Sequence, residues 1–345
     1  MLPGLAAALD LDRWRPRCKS PSAAQHHARK TGGELEKLDC IFCANSPDEV
    51  VICEDGFEGR QCSSCGLIFV SPRPSEEEIA TLYTGDRAHV SAGSHLEGYD
   101  SWVERATAKH HLAILQTHLR PRKTLLEIGP GSGAFLAEAR RQGFEVFGVE
   151  LNPTQAEFIR TRLGIPCAQS LAELKAATGR DTYDVIYHRD VMSHFFDPIA
   201  EFDAMRALLP VGGLVVFETG NIGDIDHRYF HHFSSFQYPD HLFFYSEASL
   251  RILLSRTGFD LVEIRRWSIL PQLWLIAQLK RLRGKPNASA ERSSAEAAGG
   301  TMTSRLRSAI SYVLYYLARY RVGAVTPKGR RPQTILVVAK KVWVS

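Results

Sequence analysis

Residues 124–133 read Thr124-Leu125-Leu126-Glu127-Ile128-Gly129-Pro130-Gly131-Ser132-Gly133. A short apolar strand runs into three glycines, and a helix pattern with Phe135, Leu136 and Ala139 on one face follows until Gly143. Glycines between a strand and a helix let the main chain pass close under a ligand without Cβ clashes. The helix N-terminus beyond them offers free N–H groups. Outward from this loop, Glu145–Val149 reads as the next strand, and Glu150 ends it twenty-one residues after Gly129. A carboxylate there can accept both hydroxyls of an adenosine ribose. Gly129-x-Gly131-x-x-Ala134 also satisfies the dinucleotide fingerprint, so a nicotinamide cofactor fits up to this point. Glu127 argues against it. Two residues before the first glycine, its carboxylate suits the cationic end of a ligand and would repel a pyrophosphate.

The same alternation continues along the chain. Asn152-Pro153-Thr154-Gln155 reads as cap, first-turn proline and third-position amide, and Gly164 closes that helix. Further strands are expected at 165–168, 184–188, 213–218, 261–264 and 334–340. Helices should start at Asp197-Pro198 and at Ser246. Strands and helices at this spacing predict a parallel sheet with helices on both faces, an α/β fold. Before it, Ser75-Glu76-Glu77-Glu78 is a capping box. The expected organisation is a disordered arm over 1–38, a cysteine-bearing module over 39–74, a helical linker over 75–122 and the α/β domain over 123–345.

Cys40-x2-Cys43 and Cys62-x2-Cys65 are separated by eighteen residues. Four thiolates at this spacing can close a tetrahedral Zn²⁺ site between two turns. A closed shell of four cysteines leaves no open position, so the metal should be structural. Seven cysteines in 345 residues are too few for a disulfide scaffold. Composition is ordinary for a globular chain, with 44% hydrophobic and 23% charged residues, which excludes whole-chain disorder. No apolar run approaches the ~20 residues needed to cross a bilayer. The N-terminus lacks the pattern of a secretory signal, and a cytoplasmic protein is expected.

These residues resemble the class I S-adenosylmethionine-dependent methyltransferases over about residues 123–264 plus the last strand. Glu127-x-Gly129-x-Gly131-x-Gly133 is similar to that family's first motif, and Glu150 to its ribose-binding acid. The resemblance implies a Rossmann-like seven-stranded sheet with one antiparallel strand near the edge, S-adenosylmethionine as cofactor, and Glu127, Gly129, Gly131, Gly133, Glu150 and Asp190 as its contacts. Asp190 lies in the stretch 187–198, which resembles the family's segment after the fourth strand, with Met192-Ser193 in place of the usual Leu-Glu. The run 65–74 resembles a zinc-ribbon prefix found on a bacterial subgroup, some of whose members methylate nucleotide-linked sugars at carbon.

A base is needed if the methyl acceptor is a hydroxyl or an acidic C–H. The segment after the fifth strand is rich in His and aromatic residues between Asn221 and His241. Within it, Tyr238-Pro239-Asp240-His241 resembles the Tyr-x-Glu-His segment of sugar C-methyltransferases. Carried over, His241 is the base, Asp240 stands for the Glu, and Tyr238 is a ring or hydroxyl contact. Packing of His241 beneath the pocket is the alternative.

Residues 265–333 form an insert where a plain core has a short hairpin. From Arg265 to the last residue there are sixteen Lys+Arg and two Asp+Glu, against 26 and 36 before it. Leu306, Ile310, Val313, Leu314 and Leu317 fall on one helical stripe flanked by arginines. Two readings fit: a helical lid whose stripe faces the core, or a helical pair lying on an anionic membrane surface, giving peripheral contact with the inner face of the membrane. No nucleic-acid partner is expected. The expected acceptor is a small molecule: a sugar, a nucleotide-sugar or another glycan or secondary-metabolite intermediate. The alternatives are a cofactor-binding scaffold without turnover and an RNA or protein methyltransferase.

Overall fold

The computed structural model describes residues 35–46, 49–84, 102–119, 123–233, 235–283, 310 and 313–342. Residues 1–34 of the expected arm lie outside these. Residues 35–38, assigned to the arm from sequence, are anchored: Glu36 bridges Arg73, and the Leu38 main chain exchanges two hydrogen bonds with the Ser71 hydroxyl.

The N-terminal module is a small antiparallel sheet of β1 (Val50–Glu54), β2 (Phe57–Gln61), β3 (Ile68–Val70) and, last in order, β9 (Phe243–Phe244). Its fourth strand comes from 173 residues downstream, because Phe243 and Phe244 pair with Phe69 and Ile68. Helix α1 (Glu76–Thr84) starts as expected. Glu78 N–H donates to the Ser75 hydroxyl and the Glu78 carboxylate accepts from Ser75 N–H, each at 3.3 Å.

The main sheet has seven strands in the order β10-β11-β8-β7-β4-β5-β6. They are β4 (Thr124–Ile128), β5 (Glu145–Val149), β6 (Cys167–Ala168), β7 (Val185–Arg189), β8 (Leu214–Gly220), β10 (Phe259–Ser268) and β11 (Gln333–Lys341). All pairs from β6 to β8 are parallel, while β11 runs antiparallel to both β8 and β10. This is the α/β methyltransferase arrangement, with its one reversed strand next to the edge. β10 is ten residues long, well beyond the expected 261–264. It is an edge strand whose side chains alternate toward solvent, so its polar residues hide it from a search for apolar runs.

Helices cover both faces. Helices α2 (Trp102–Gln116), α3 (Ala134–Arg141) and α4 (Pro153–Leu163) bury Leu112, Leu136 and Ile159 against one. Helices α5 (Leu171–Thr178), α6 (Pro198–Ala207) and α7 (Glu247–Arg256) bury Leu174, Phe202 and Leu253 against the other, in a core continuous with the N-terminal module. The predicted caps form: Asn152 accepts from the Thr154 and Gln155 amides, Asp197 from Ile199 and Ala200, and Ser246 from Ser249. Within the insert β10 runs on to Ser268, followed by helix α8 (Leu270–Arg283); a helical stretch over 313–316 continues into a π-helical turn (Leu317–Val322) and a last short turn (Gly323–Val325). Among the described residues, no helix is long and apolar enough to cross a membrane.

Candidate active site

The carboxyl ends of β4, β5 and β7 converge on one crevice, where open parallel sheets bind ligands. The glycine loop forms its floor. Glu150, at the end of β5, turns back over the loop. One carboxylate oxygen accepts from Gly131 N–H and the other from Asn152 N–H, both at 2.9 Å. Backbone donors from two segments thereby hold the carboxylate in place. Glu127 is 4% exposed on β4, and its Oε2 has no hydrogen-bond partner among the described residues. Burial pushes its carboxyl up to about 8, partly offset by the Arg189 guanidinium. A buried orphan acceptor is costly unless something fills its bond. A Cβ built at Gly131 meets no atom within 4 Å, so the space over the loop is open. An open cradle, an orphan buried carboxyl group that a cation would ionise and a second, anchored carboxylate fit a ligand with a cationic end and an adenosine-like end.

Asp190 closes the other side. It follows β7 in the left-handed region, φ 56°, and its N–H donates to the Glu218 carbonyl at 3.0 Å. Its side chain is exposed, yet desolvation by the protein packed around it raises its carboxyl, and the Glu218 charge adds to the effect. Non-glycine residues in this conformation need surroundings that hold them there, and they cluster at functional sites. Val191 packs on the loop, its Cγ2 2.8 Å from where a Gly129 Cβ would sit. One turn further along stands His194.

His194, Asp240 and His241 come together, with one ligand-type atom from each within 4.8 Å of the others. His194 Nδ1 lies 3.2 Å from both an Asp240 carboxylate oxygen and the Asp240 carbonyl. The His194 and His241 rings meet edge to face at 4.5 Å. Burial, reinforced by His194, lowers His241 to about 4, so its imidazole is neutral at pH 7. Tyr238, expected as an acceptor contact, points elsewhere. It is 4% exposed, its hydroxyl lies in the N-terminal module against Gly59, and that hydroxyl has no hydrogen-bond partner among the described residues.

Cys40, Cys43, Cys62 and Cys65 also converge, their sulfurs within 4.8 Å of one another and those of Cys40 and Cys65 3.6 Å apart. All four thiols are free, three of them buried. Four sulfurs closed around one point fit a tetrahedral ion.

The structure adds a cluster that sequence reasoning missed. Glu218 on β8 is fully buried, with Arg319 Nη2 at 2.8 Å and His111 Nε2 at 3.1 Å from its two oxygens. His111 Nδ1 meets the Tyr187 hydroxyl at 2.8 Å. Burial would raise the Glu218 carboxyl, but Arg319 and His111 outweigh it and hold it below its ordinary value. The only local signal was a carboxylate inside the run Leu-Val-Val-Phe-Glu. A cavity of about 700 Å³ lies beyond the carboxyl end of β8, lined by Gln61, Asn221, Asp224, Arg266, Lys328 and Gln333 among others. Gln61 ties the N-terminal module to its wall, donating to the Gly223 carbonyl at 2.9 Å.

Sheet order, glycine loop and anchored acid together define a class I methyltransferase fold. Residues 99–264 match the family profile described as "Methyltransferase domain". The match takes in α2, which the expected organisation placed in a linker. The chain is 34% identical over 102 residues to the ubiquinone biosynthesis O-methyltransferase of Cereibacter sphaeroides (strain KD131 / KCTC 12085), covering 28% of this chain and 41% of that one. With the protein of the same name from Vibrio cholerae serotype O1 (strain M66-2) it shares 29% over 104 residues, 29% and 42% of the two chains. The chain thus spans well under half the length of these relatives. Among solved structures, geranyl diphosphate C-methyltransferase from Streptomyces coelicolor A3(2) superposes with a TM-score of 0.43 at 19% identity, covering 69% of this chain and 76% of that one.

Proposed function

We propose that this protein transfers a methyl group from S-adenosylmethionine to a small-molecule acceptor, and that its four clustered cysteines hold a structural Zn²⁺. The observation that carries the reading is the orphan Glu127 carboxylate beside open space over Gly131, faced by the anchored Glu150. In this reading Glu127 serves the cationic amino-acid end of the cofactor, Glu150 accepts the ribose hydroxyls, and Asp190 is a further cofactor contact from the segment after β7. Bound there, the sulfonium supplies an already activated methyl group.

The chain's own work is then placement and proton removal. His241 is neutral at pH 7 and next to His194, whose Nδ1 is held by Asp240, so it can accept the acceptor's proton. Tyr238 supports this loop from beneath. A sugar, nucleotide-sugar or similar glycan or secondary-metabolite acceptor is supported by the resemblance of residues 238–241 to sugar C-methyltransferases. The relatives named O-methyltransferases support a second reading, a hydroxyl acceptor on another scaffold, in which His241 has the same task.

The test is to incubate the purified protein with methyl-labelled S-adenosylmethionine and fractionated cell extract. Label in a low-molecular-weight sugar derivative is the expected result. Label in RNA or protein, or cofactor binding with no S-adenosylhomocysteine formed in any fraction, would refute it.

A further inference from the structure

The insert presents an apolar face to solvent. Ile310, Val313, Leu314 and Leu317 follow the i, i+3, i+4, i+7 spacing of one helical stripe, which in a soluble helix faces the core. Here all four are exposed, Leu314 by 40%. The inward side of this element is made by other residues. Ala318 and Tyr320 are buried, Tyr320 packs on Trp267 at 5.2 Å, and Arg319 reaches Glu218. The core contact is thus already satisfied from the opposite side, and the stripe has no partner among the described residues. Helix α8, which packs against the π-helical turn, exposes Trp274 by 61%. Among the described residues, seven of the ten exposed large hydrophobic side chains belong to residues 274–325, so the exposure is concentrated and not scattered.

Charge names the partner. This stretch lies in the region with sixteen basic and two acidic residues, and Arg321 is exposed beside the stripe. Apolar side chains with an exposed Trp, in a segment of the sequence so rich in Lys and Arg, match the interface of an anionic bilayer. Nucleic acid would use the charge but leave the apolar stripe in water. A second copy of the chain would bring the same positive charge against itself.

We infer that the insert docks the protein on an anionic lipid surface through the stripe 310–317, with Trp274 as an interfacial anchor. The inference is independent of the methyl-transfer reading, since none of its residues is given a part in that reading. The test is flotation of the full-length protein with phosphatidylcholine vesicles containing 30% phosphatidylglycerol, and with pure phosphatidylcholine vesicles. The expected result is co-flotation with the anionic vesicles, at least tenfold weaker on pure phosphatidylcholine and weakened by 0.5 M salt. Leu314→Glu/Leu317→Glu should lower binding at least tenfold with an unchanged circular dichroism melt, both sites being at the surface. Arg321→Glu, a second and milder change, should lower it several-fold. No co-flotation, equal binding to both vesicle types, or binding unchanged in both variants would overturn the inference. So would a dimer seen by light scattering that the double variant breaks.

Discussion

Gly131 and Gly133 stand two residues apart in the same loop, both with positive φ, 54° and 75°, yet alanine at each should fail for a different reason. The left-handed conformation costs a non-glycine residue about 1–2 kcal/mol at either position. At Gly133 the new Cβ would lie 2.7 Å from Leu163 Cδ1 and 3.0 Å from Ile159 Cγ1. Overpacking of this kind adds about 1–3 kcal/mol, so Gly133→Ala should lose roughly 2–5 kcal/mol of stability. At Gly131 the Cβ meets no atom of the protein within 4 Å, and only the conformational cost of about 1–2 kcal/mol applies. Its methyl group instead enters the space assigned to the cofactor. Gly131→Ala should therefore weaken S-adenosylhomocysteine binding at least tenfold, about 1.4 kcal/mol. Urea denaturation reads the first quantity and isothermal calorimetry the second. A Gly131→Ala protein that binds within twofold of wild type would refute the placement of the ligand over this loop, whatever the stability of either variant.

Four further outcomes follow from the same geometry. Glu127 is held at about 8 in the folded protein against an ordinary carboxyl near 4.5, so folding of the free protein favours its protonated form and stability should fall as pH rises from about 4.5 to 8. A cationic ligand needs the ionised form, so its binding should release a proton and tighten with pH, by at most tenfold per unit, until it levels above about 8; calorimetry in buffers of different ionisation enthalpy measures this. His241→Ala should abolish turnover while cofactor affinity stays within twofold, and near-normal turnover would exclude His241 as the proton acceptor. Arg319→Ala removes the guanidinium bound to the buried Glu218 and leaves only the His111 contact of the two described, and breaking such a buried pair costs about 3–5 kcal/mol, readable as a shifted urea midpoint. Elemental analysis should find one zinc per chain in the wild-type protein and none in Cys62→Ser; a zinc-free wild type that melts normally would contradict the proposed zinc site.

Much of the fold was legible because its signals are local. Capping residues, the glycines that end helices and the apolar runs of β4, β5 and β7 each announce themselves within a few residues. The glycine loop and Glu150 were legible for the same reason, because strand, turn and acid keep fixed spacing along the chain. What was not legible depends on distant pairing. Nothing in Phe243-Phe244 says that it completes a sheet begun near residue 50, since that pairing is between segments far apart in the chain. Tyr238 and His241 share one short motif, yet the turn between them sends one into the core of the N-terminal module and the other to His194. The partners of Glu218 come from α2 and from the insert, more than a hundred residues to either side. The stripe at 310–317 shows the limit of periodicity, which finds an apolar face but not which way the face is turned.

Calorimetric titration of the wild-type protein with S-adenosylmethionine, alongside NAD, tests the central claim most directly. A saturable heat for one site per chain with the sulfonium compound, lost in Glu150→Ala and absent with NAD, is the predicted result. Silence with S-adenosylmethionine, or a saturable heat with NAD alone, would contradict the account.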